Sequence, residues 1–245
     1  MATKKTPAKQ ITAWSFSRYS TYKQCPLKAK LNFIDKIQEP PNEAMERGSR
    51  IHALAEDYIK GKIRALPAEL KLFKEDFKFF KTQYKKSISG MVVEDTWSFT
   101  KDWNETQWND WVNCWVRIKL DCAHHEDDST LIITDFKTGK YRPMQNEEYV
   151  EQLELYALAA LLLHEHIEIA KPRLQYLDTG EIYPSPEDDA LVFTRADIPK
   201  LKKLWDKRTK PMLSDTTFAP KPNDKCRWCF YRKGNAANGG GQCKF

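Results

Sequence analysis

The residues with the plainest chemical potential are two aspartates and a lysine. They lie in Val116-Arg-Ile-Lys-Leu-Asp121 and Leu131-Ile-Ile-Thr-Asp135-Phe-Lys137-Thr-Gly-Lys140, joined through the polar turn Glu126-Asp127-Asp128-Ser129. A hairpin centred on Asp127 and Asp128 sets Asp121 beside Thr134 or Asp135, and facing neighbours in such a pair lie within roughly 4.5–8 Å. Side chains alternate along a strand, so Asp135 and Lys137 share one face. Two carboxylates side by side repel unless a cation sits between them. Carboxylate oxygens are the ligands Mg²⁺ prefers, and a bound divalent ion lowers the pKa of its water and polarises a phosphoryl oxygen. Lys137 would then orient the attacking water or neutralise charge on a pentavalent phosphorane. The competing reading is an ordinary solvated hairpin face carrying an Asp–Lys pair.

Two helical pairs flank this segment. In Gly48-Ser-Arg-Ile-His52, His52 follows a glycine by one turn, and Glu56 lies one turn further on the same face. Glycine inside a helix costs about 1 kcal/mol against alanine, so Gly48 points to close approach of another backbone. His52 offers an imidazole to a metal or a phosphate; the bland reading is a surface His–Glu pair. Gln152 and Tyr156 are likewise four apart, and they either touch the lysine or a phosphate or form an ordinary helix flank.

The six cysteines are unevenly placed, with Cys25 near the start and Cys226, Cys229 and Cys243 within the last 20 residues. A CxxC with further cysteines reads first as a metal site. Cys114 and Cys122 fall in strand-like sequence, where a buried unpaired thiol is common. Trp97, Trp103, Trp108, Trp111 and Trp115 either stack bases or pack the core. Arg117 and Lys119 alternate with Asp121, and Lys140 and Arg142 follow the D-x-K strand; these four are the candidate phosphate contacts, which bind without reading sequence. The aromatic and basic residues Arg227, Trp228, Phe230, Tyr231, Arg232 and Lys233 add a second place to grip a single strand.

The elements that must position these groups are mixed. A helix begins near Ser15, a second runs from an Asn42 cap to about Ile59, and a third after Pro67 carries Leu70, Phe73, Phe77 and Phe80. Strand patterns cover Met91–Phe99, Trp111–Ala123 and Leu131–Lys137. A long amphipathic helix over Glu147–His166, strands at Arg173–Leu177 and Leu191–Phe193, and a helix over Ile198–Lys210 follow. Such an order indicates a mixed α/β sheet. The expected organisation is a flexible basic tail over 1–14, one α/β domain over 15–210 and a cysteine-rich tail over 211–245, where Gly239-Gly240-Gly241 needs something to tie it down.

Composition narrows the classes. The 245 residues carry 40 Lys+Arg against 34 Asp+Glu, a net charge of +6 that suits a polyanion partner. With 8 Trp, 10 Tyr and 12 Phe the chain has ample core material and is not disordered. The longest apolar stretch, Leu155–Leu163, falls short of the ~20 residues of a membrane span. Residues 1–10 are basic and polar, without the apolar core of a secretory signal, so a cytoplasmic protein of a bacterial or phage-infected cell is expected.

Taken in order, Gly48-xxx-His52, Asp121, Asp135-Phe-Lys137-Thr-Gly-Lys140 and Gln152-xxx-Tyr156 resemble the RecB-type branch of the PD-(D/E)XK nuclease superfamily. Ser17 through Cys25-Pro26 resembles that family's N-terminal helix, and Cys226-xx-Cys229 with Cys243 its C-terminal cysteine group. The resemblance implies a restriction-endonuclease-like core: a central mixed sheet flanked by helices, with an N-terminal helical region and the cysteine-rich tail. It implies that His52, Asp121, Asp135 and the Phe136 carbonyl hold Mg²⁺ or Mn²⁺. Lys137 becomes the catalytic lysine, with Gln152 and Tyr156 in support. It also implies that Cys25, Cys226, Cys229 and Cys243 hold a [4Fe–4S] cluster joining the two ends of the chain, although four thiolates with a CxxC half also suit Zn²⁺. The length is most similar to CRISPR-type and phage-type members. The expected activity is sequence-nonspecific exonuclease cleavage of DNA, at ends or on single strands, in DNA processing or recombination, with a homo-oligomer or a recombination protein as possible partner. The competing expectations are an endonuclease of the same fold and a non-catalytic DNA-binding subunit.

Overall fold

The structure is a computed structural model that describes residues 10–86, 91–186 and 191–245. Strands form where β-branched and aromatic residues alternate with polar ones: β1 (Val92–Phe99), β2 (Val116–His125), β3 (Thr130–Lys137), β4 (Ile169–Tyr176), β5 (Glu181–Tyr183) and β6 (Phe193–Thr194). They make one six-stranded sheet in the order β1-β2-β3-β4-β5, with β6 also on β4. All pairings are antiparallel except β3–β4. A parallel neighbour requires a long crossover, and here it is the helix α5 (Asn146–Leu163).

Helices precede the sheet: α1 (Phe16–Gln24), α2 (Pro26–Ala29, continued by a π turn to Ile34), α3 (Glu43–Ile59) and α4 (Lys74–Lys85). The Asn42 side chain accepts from Met45 N and starts α3 as expected. Leu70, Phe73, Phe77 and Phe80 are buried, split between a 3₁₀ turn at Ala68–Phe73 and α4. Together with Ile51, Ala55 and Ile59 of α3 they pack on Val93, Cys122 and Phe136 of the sheet. The helix after β3 departs from the expected amphipathic form. From Leu155 to Leu161 every side chain of α5 is buried, so this stretch has no solvated face. Its C-terminal carbonyls are satisfied by Arg195, whose guanidinium donates to Leu161, His164 and Ile167 oxygens.

The described chain divides into two compact units, 42–204 and 10–41 with 205–245. The first nine residues lie outside the described ones, but Ile11 and Trp14 are buried, so the expected tail does not extend to residue 14. Trp14 stacks on Trp205 at 5.2 Å, and Tyr19 meets the same indole edge-on. The last helix, α6 (Ile198–Ser214), runs past Lys210 and through Pro211. The second strand begins at Val116 and not Trp111; residues 111–115 instead form a turn. The glycine run is tied down by close approach, since a Cβ on Gly240 would fall 2.1 Å from the Phe230 carbonyl oxygen.

His124 on β2 lies between the rings of Phe79 and Phe80, at centroid distances of 5.3 and 5.2 Å. Burial, aided by the charge of Arg173, pushes its imidazole down to about 4. A free imidazole takes its proton near 6.5, so the unfolded chain binds one that the folded chain refuses. Stability is therefore lost as pH falls from about 6.5 to about 4, by up to roughly 3 kcal/mol from this residue. His124→Leu should flatten that part of the profile of urea midpoint against pH; parallel profiles for wild type and variant would contradict the assignment.

Candidate active site

β3 alternates between core and site. Phe136 packs against Phe77 of α4 at 5.1 Å, which turns Asp135 and Lys137 to the opposite face. The β2–β3 ladder pairs Cys122 with Thr134 and Ala123 with Ile133. One step further along the same register, Asp121 falls opposite Asp135, the second of the two partners that the hairpin reading leaves open. The turn after Lys137 is fixed by Asp178, whose Oδ2 accepts from Gly139 N at 2.7 Å while Arg47 of α3 grips the same carboxylate through two nitrogens.

Asp121 is buried and both its oxygens are engaged. Oδ1 lies 2.9 Å from His52 Nδ1, and Oδ2 accepts from Phe136 N at 2.6 Å. Burial, reinforced by the charge of Asp135, raises its pKa against the lowering pull of His52. For His52, burial works against the charged form, but the bond and charge of Asp121 outweigh it and its pKa rises. Both shifts favour a proton on the pair, and a bound cation would compete for the same atoms.

Asp135 is held from the other side. Tyr156 Oη of α5 donates to its Oδ1 at 2.7 Å, Gln152 Nε2 reaches the same oxygen at 3.2 Å, and Lys137 Nζ lies 2.6 Å from Oδ2. Gln152 Oε1 in turn accepts from Lys137 Nζ at 3.0 Å. Burial and the two nearby carboxylates push the Tyr156 hydroxyl well up, so it remains a donor. His52 and Asp121 thus form one bonded pair, and Asp135, Lys137, Gln152 and Tyr156 a second bonded group on the neighbouring strand and α5.

The structure adds a residue that the sequence reading does not single out. Glu94 of β1 completes a set with His52 and Asp121 whose ligand atoms all lie within 4.8 Å of one another. The β1–β2 register, with Val93 on Cys122 and Asp95 on Leu120, sets Glu94 opposite Asp121. Its φ of +53° breaks the ladder at that point, a backbone conformation that costs a non-glycine residue energy and is concentrated at functional sites. Lys119 Nζ lies 2.5 Å from Glu94 Oε2, so Lys119 belongs to the rim of this group rather than standing free. The sequence signal available was the position of Glu94 in a strand whose pairing with β2 brings it level with Asp121.

An imidazole and carboxylate oxygens this close form a donor set that fits a hard divalent cation. Asp135 lies outside this trio, and its oxygens are bonded to Tyr156, Gln152 and Lys137. Phe136 contributes its amide to Asp121. The approach expected at Gly48 is made by a side chain: a Cβ there would meet Thr138 Oγ1 at 3.2 Å. Lys140 and Arg142 are exposed beyond β3, and Arg117 lies over the rings of Trp108 and Trp111.

A family model described as PD-(D/E)XK nuclease superfamily matches residues 13–233. The chain belongs to that superfamily. Its six-stranded mixed sheet flanked by helices is the restriction-endonuclease-like core of these nucleases. Among solved structures, a candidate exonuclease from Eubacterium rectale is similar over 90% of this chain and 88% of its own, with 13% identity and a TM-score of 0.46. The protein SSO0001 is similar over 91% and 85%, with 13% identity and a TM-score of 0.40. No curated protein matches the chain. No helix of this nuclease, among the described residues, is long and apolar enough to cross a membrane.

The Tyr156 hydroxyl is buried and bonded to a carboxylate. In this nuclease Tyr156→Phe should lower stability by about 1–3 kcal/mol, since Asp135 then loses a charge-assisted donor it cannot replace with water. Urea unfolding without divalent ions checks this; an unchanged midpoint would show that the bond contributes nothing.

Proposed function

We propose that this nuclease is a Mg²⁺- or Mn²⁺-dependent deoxyribonuclease that degrades DNA from its ends with little sequence preference. The observation that carries the reading is the convergence of His52, Glu94 and Asp121 within 4.8 Å beside the Asp135–Lys137 pair. His52, Glu94, Asp121 and Asp135, with the Phe136 carbonyl, would hold the ion. Bound there, a divalent cation supplies Lewis acidity toward the phosphoryl oxygen and lowers the pKa of a coordinated water.

The remaining chemistry belongs to side chains. Lys137 sits beside Asp135 with its ammonium held by Gln152, so it is positioned to orient a water for in-line attack and to offset charge on the phosphorane. The attacking water gives up a proton to solvent and forms a new P–O bond as the P–O bond to the leaving sugar oxygen breaks, and that oxygen takes a proton from solvent. Tyr156 and Gln152 fix Asp135 in one orientation. Arg117, Lys140 and Arg142 would contact phosphates, consistent with a net charge of +6 and with binding that ignores base identity.

Asp135→Asn and Lys137→Ala should each reduce Mn²⁺-dependent degradation of linear DNA by at least about a hundredfold while leaving the far-ultraviolet circular dichroism unchanged. Cleavage at the wild-type rate in either variant would overturn the assignment. Substrates labelled separately at each terminus, with covalently closed circles as control, test the mode: rapid loss of end label with intact circles is expected, and nicked circles would make the protein an endonuclease.

We further propose a [4Fe–4S] cluster on Cys25, Cys226, Cys229 and Cys243. Four observations support it. All four thiols line one pocket within the 10–41/205–245 unit. Lys221 N lies 3.5 Å from Cys25 Sγ and Asn223 N lies 3.3 Å from Cys226 Sγ, amide donors of the kind that stabilise cluster thiolates. The cysteine chain segment is anchored, Cys243 N donating to Tyr231 O at 2.8 Å. Cys229 and Cys243 pack against the buried Leu31, Phe230 and Tyr231, an apolar shelter of the kind that tunes such clusters. Protein purified without oxygen should be brown with a broad visible absorption band that Cys229→Ser removes; a colourless, zinc-loaded protein would overturn the cluster.

A further inference from the structure

The five tryptophans of the 97–115 region separate into two groups. Trp97, Trp103 and Trp115 are buried and are core. Trp108 and Trp111 are not: Trp111 is 80% exposed and its neighbour Val112 is 89% exposed. Large apolar side chains gathered at one exposed place mark a contact site rather than packing.

The turn that presents them is built to do so. The Asp110 carboxylate accepts from Val112 N at 3.1 Å, from Asn113 N at 2.9 Å and from Thr106 Oγ1 at 3.0 Å. Cys114 N closes the turn on Asp110 O at 3.0 Å. Exposure of Trp111 is thus fixed by a bonded turn, which lowers the entropy cost of using it. Arg117 completes the arrangement. Its Nε donates to Trp108 O at 3.1 Å, and its guanidinium lies 4.8 Å from the Trp111 ring centroid and 5.7 Å from that of Trp108. One side of the indole pair carries a cation, while Trp111 remains open to solvent.

Register ties this patch to the active site. Arg117, Lys119 and Asp121 alternate along β2, and Arg117 to Lys119 stay in unbroken pairing with β1. Arg117 and Lys119 therefore share one face, Lys119 Nζ reaches Glu94 Oε2 of the acidic group at 2.5 Å, and the four residues of strand from Arg117 to Asp121 span about 13 Å. A backbone-neutralising cation, an exposed indole and the acidic group lie along one line that a short run of nucleotides can follow.

We propose that Trp108, Trp111 and Arg117 form a base-stacking platform that grips a single DNA strand and feeds it along β2 toward the Asp121–Asp135 site. The occupant is single-stranded DNA because the patch pairs a π face with a fixed cation, the combination that suits stacked bases joined by phosphates. The proposal deepens the nuclease reading and rests on it. A blunt duplex keeps its bases stacked and paired, so it gains nothing from the platform.

The test is anisotropy of labelled oligothymidylate with the full chain in chelator, where no cleavage occurs. A wild-type chain should bind it more tightly than an abasic oligonucleotide with the same number of phosphates. Trp111→Ala should weaken oligothymidylate binding roughly 5- to 150-fold, the range for one lost stack. It should leave abasic and blunt-duplex binding within about twofold, and Trp111→Phe should restore most of the affinity. Equal binding of Trp111→Ala and wild type overturns the platform, as does equal wild-type affinity for abasic and thymidine strands. Loss of self-association in Trp111→Ala without loss of DNA binding makes the patch a contact between copies and overturns it too. Mn²⁺-dependent cleavage by a chain that fails these binding tests sinks the platform alone; absence of cleavage in a chain that passes them sinks the nuclease reading alone.

Discussion

Mutual repulsion among Glu94, Asp121 and Asp135 is the constraint around which the 42–204 unit is organised. Three carboxylates from three neighbouring strands meet on one face, and burial makes their charges costlier still. The fold offsets each with a different partner: Lys119 for Glu94, His52 for Asp121 and Lys137 for Asp135. These partners come from β2, α3 and β3, so no single element can shift without exposing an unbalanced carboxylate. Such over-determined electrostatics is what keeps a strained residue such as Glu94, at φ +53°, in place.

The alternation of β3 lets the same strand serve core and site. Phe136 sits with Phe77 and Phe80 in the apolar layer, while Asp135 and Lys137 face Tyr156 and Gln152 of α5. A slip of one residue would bury a lysine and expose a phenylalanine, so the packing of the core also sets the register of the chemistry. α5, enclosed over most of its length, gives Tyr156 and Gln152 a rigid base. The α3 end is less free than its helical sequence suggests: Arg47 holds Asp178, and Gly48 leaves only enough room for Thr138.

Much of this was legible in the sequence, for a physical reason. Hairpin pairing follows from a polar turn and period-two alternation, and those bring Asp121 level with Thr134 or Asp135 without reference to anything distant. Helix spacing likewise puts Gln152 and Tyr156 on one face. Glu94 was not legible, because its role depends on which strand pairs with β2 and on a φ that sequence does not announce. The start of β2 was misread for a related reason. Trp111, Val112 and Trp115 are strand-forming types, but the Asp110 carboxylate captures the Val112 and Asn113 amides in a turn before a ladder can form. The burial of α5 on nearly all sides, and the core position of Ile11 and Trp14, are set by tertiary contacts that local pattern does not contain.

The central claim, that these carboxylates are gathered to hold a hard divalent ion, is tested most directly by thermal unfolding of wild type and Asp121→Asn across a Mn²⁺ series. A ligand that binds only the folded state raises the melting temperature in proportion to the logarithm of its concentration once above its dissociation constant. The account predicts such a rise for wild type and its loss in Asp121→Asn. Equal rises in both proteins, or no rise in wild type at millimolar Mn²⁺, would contradict it.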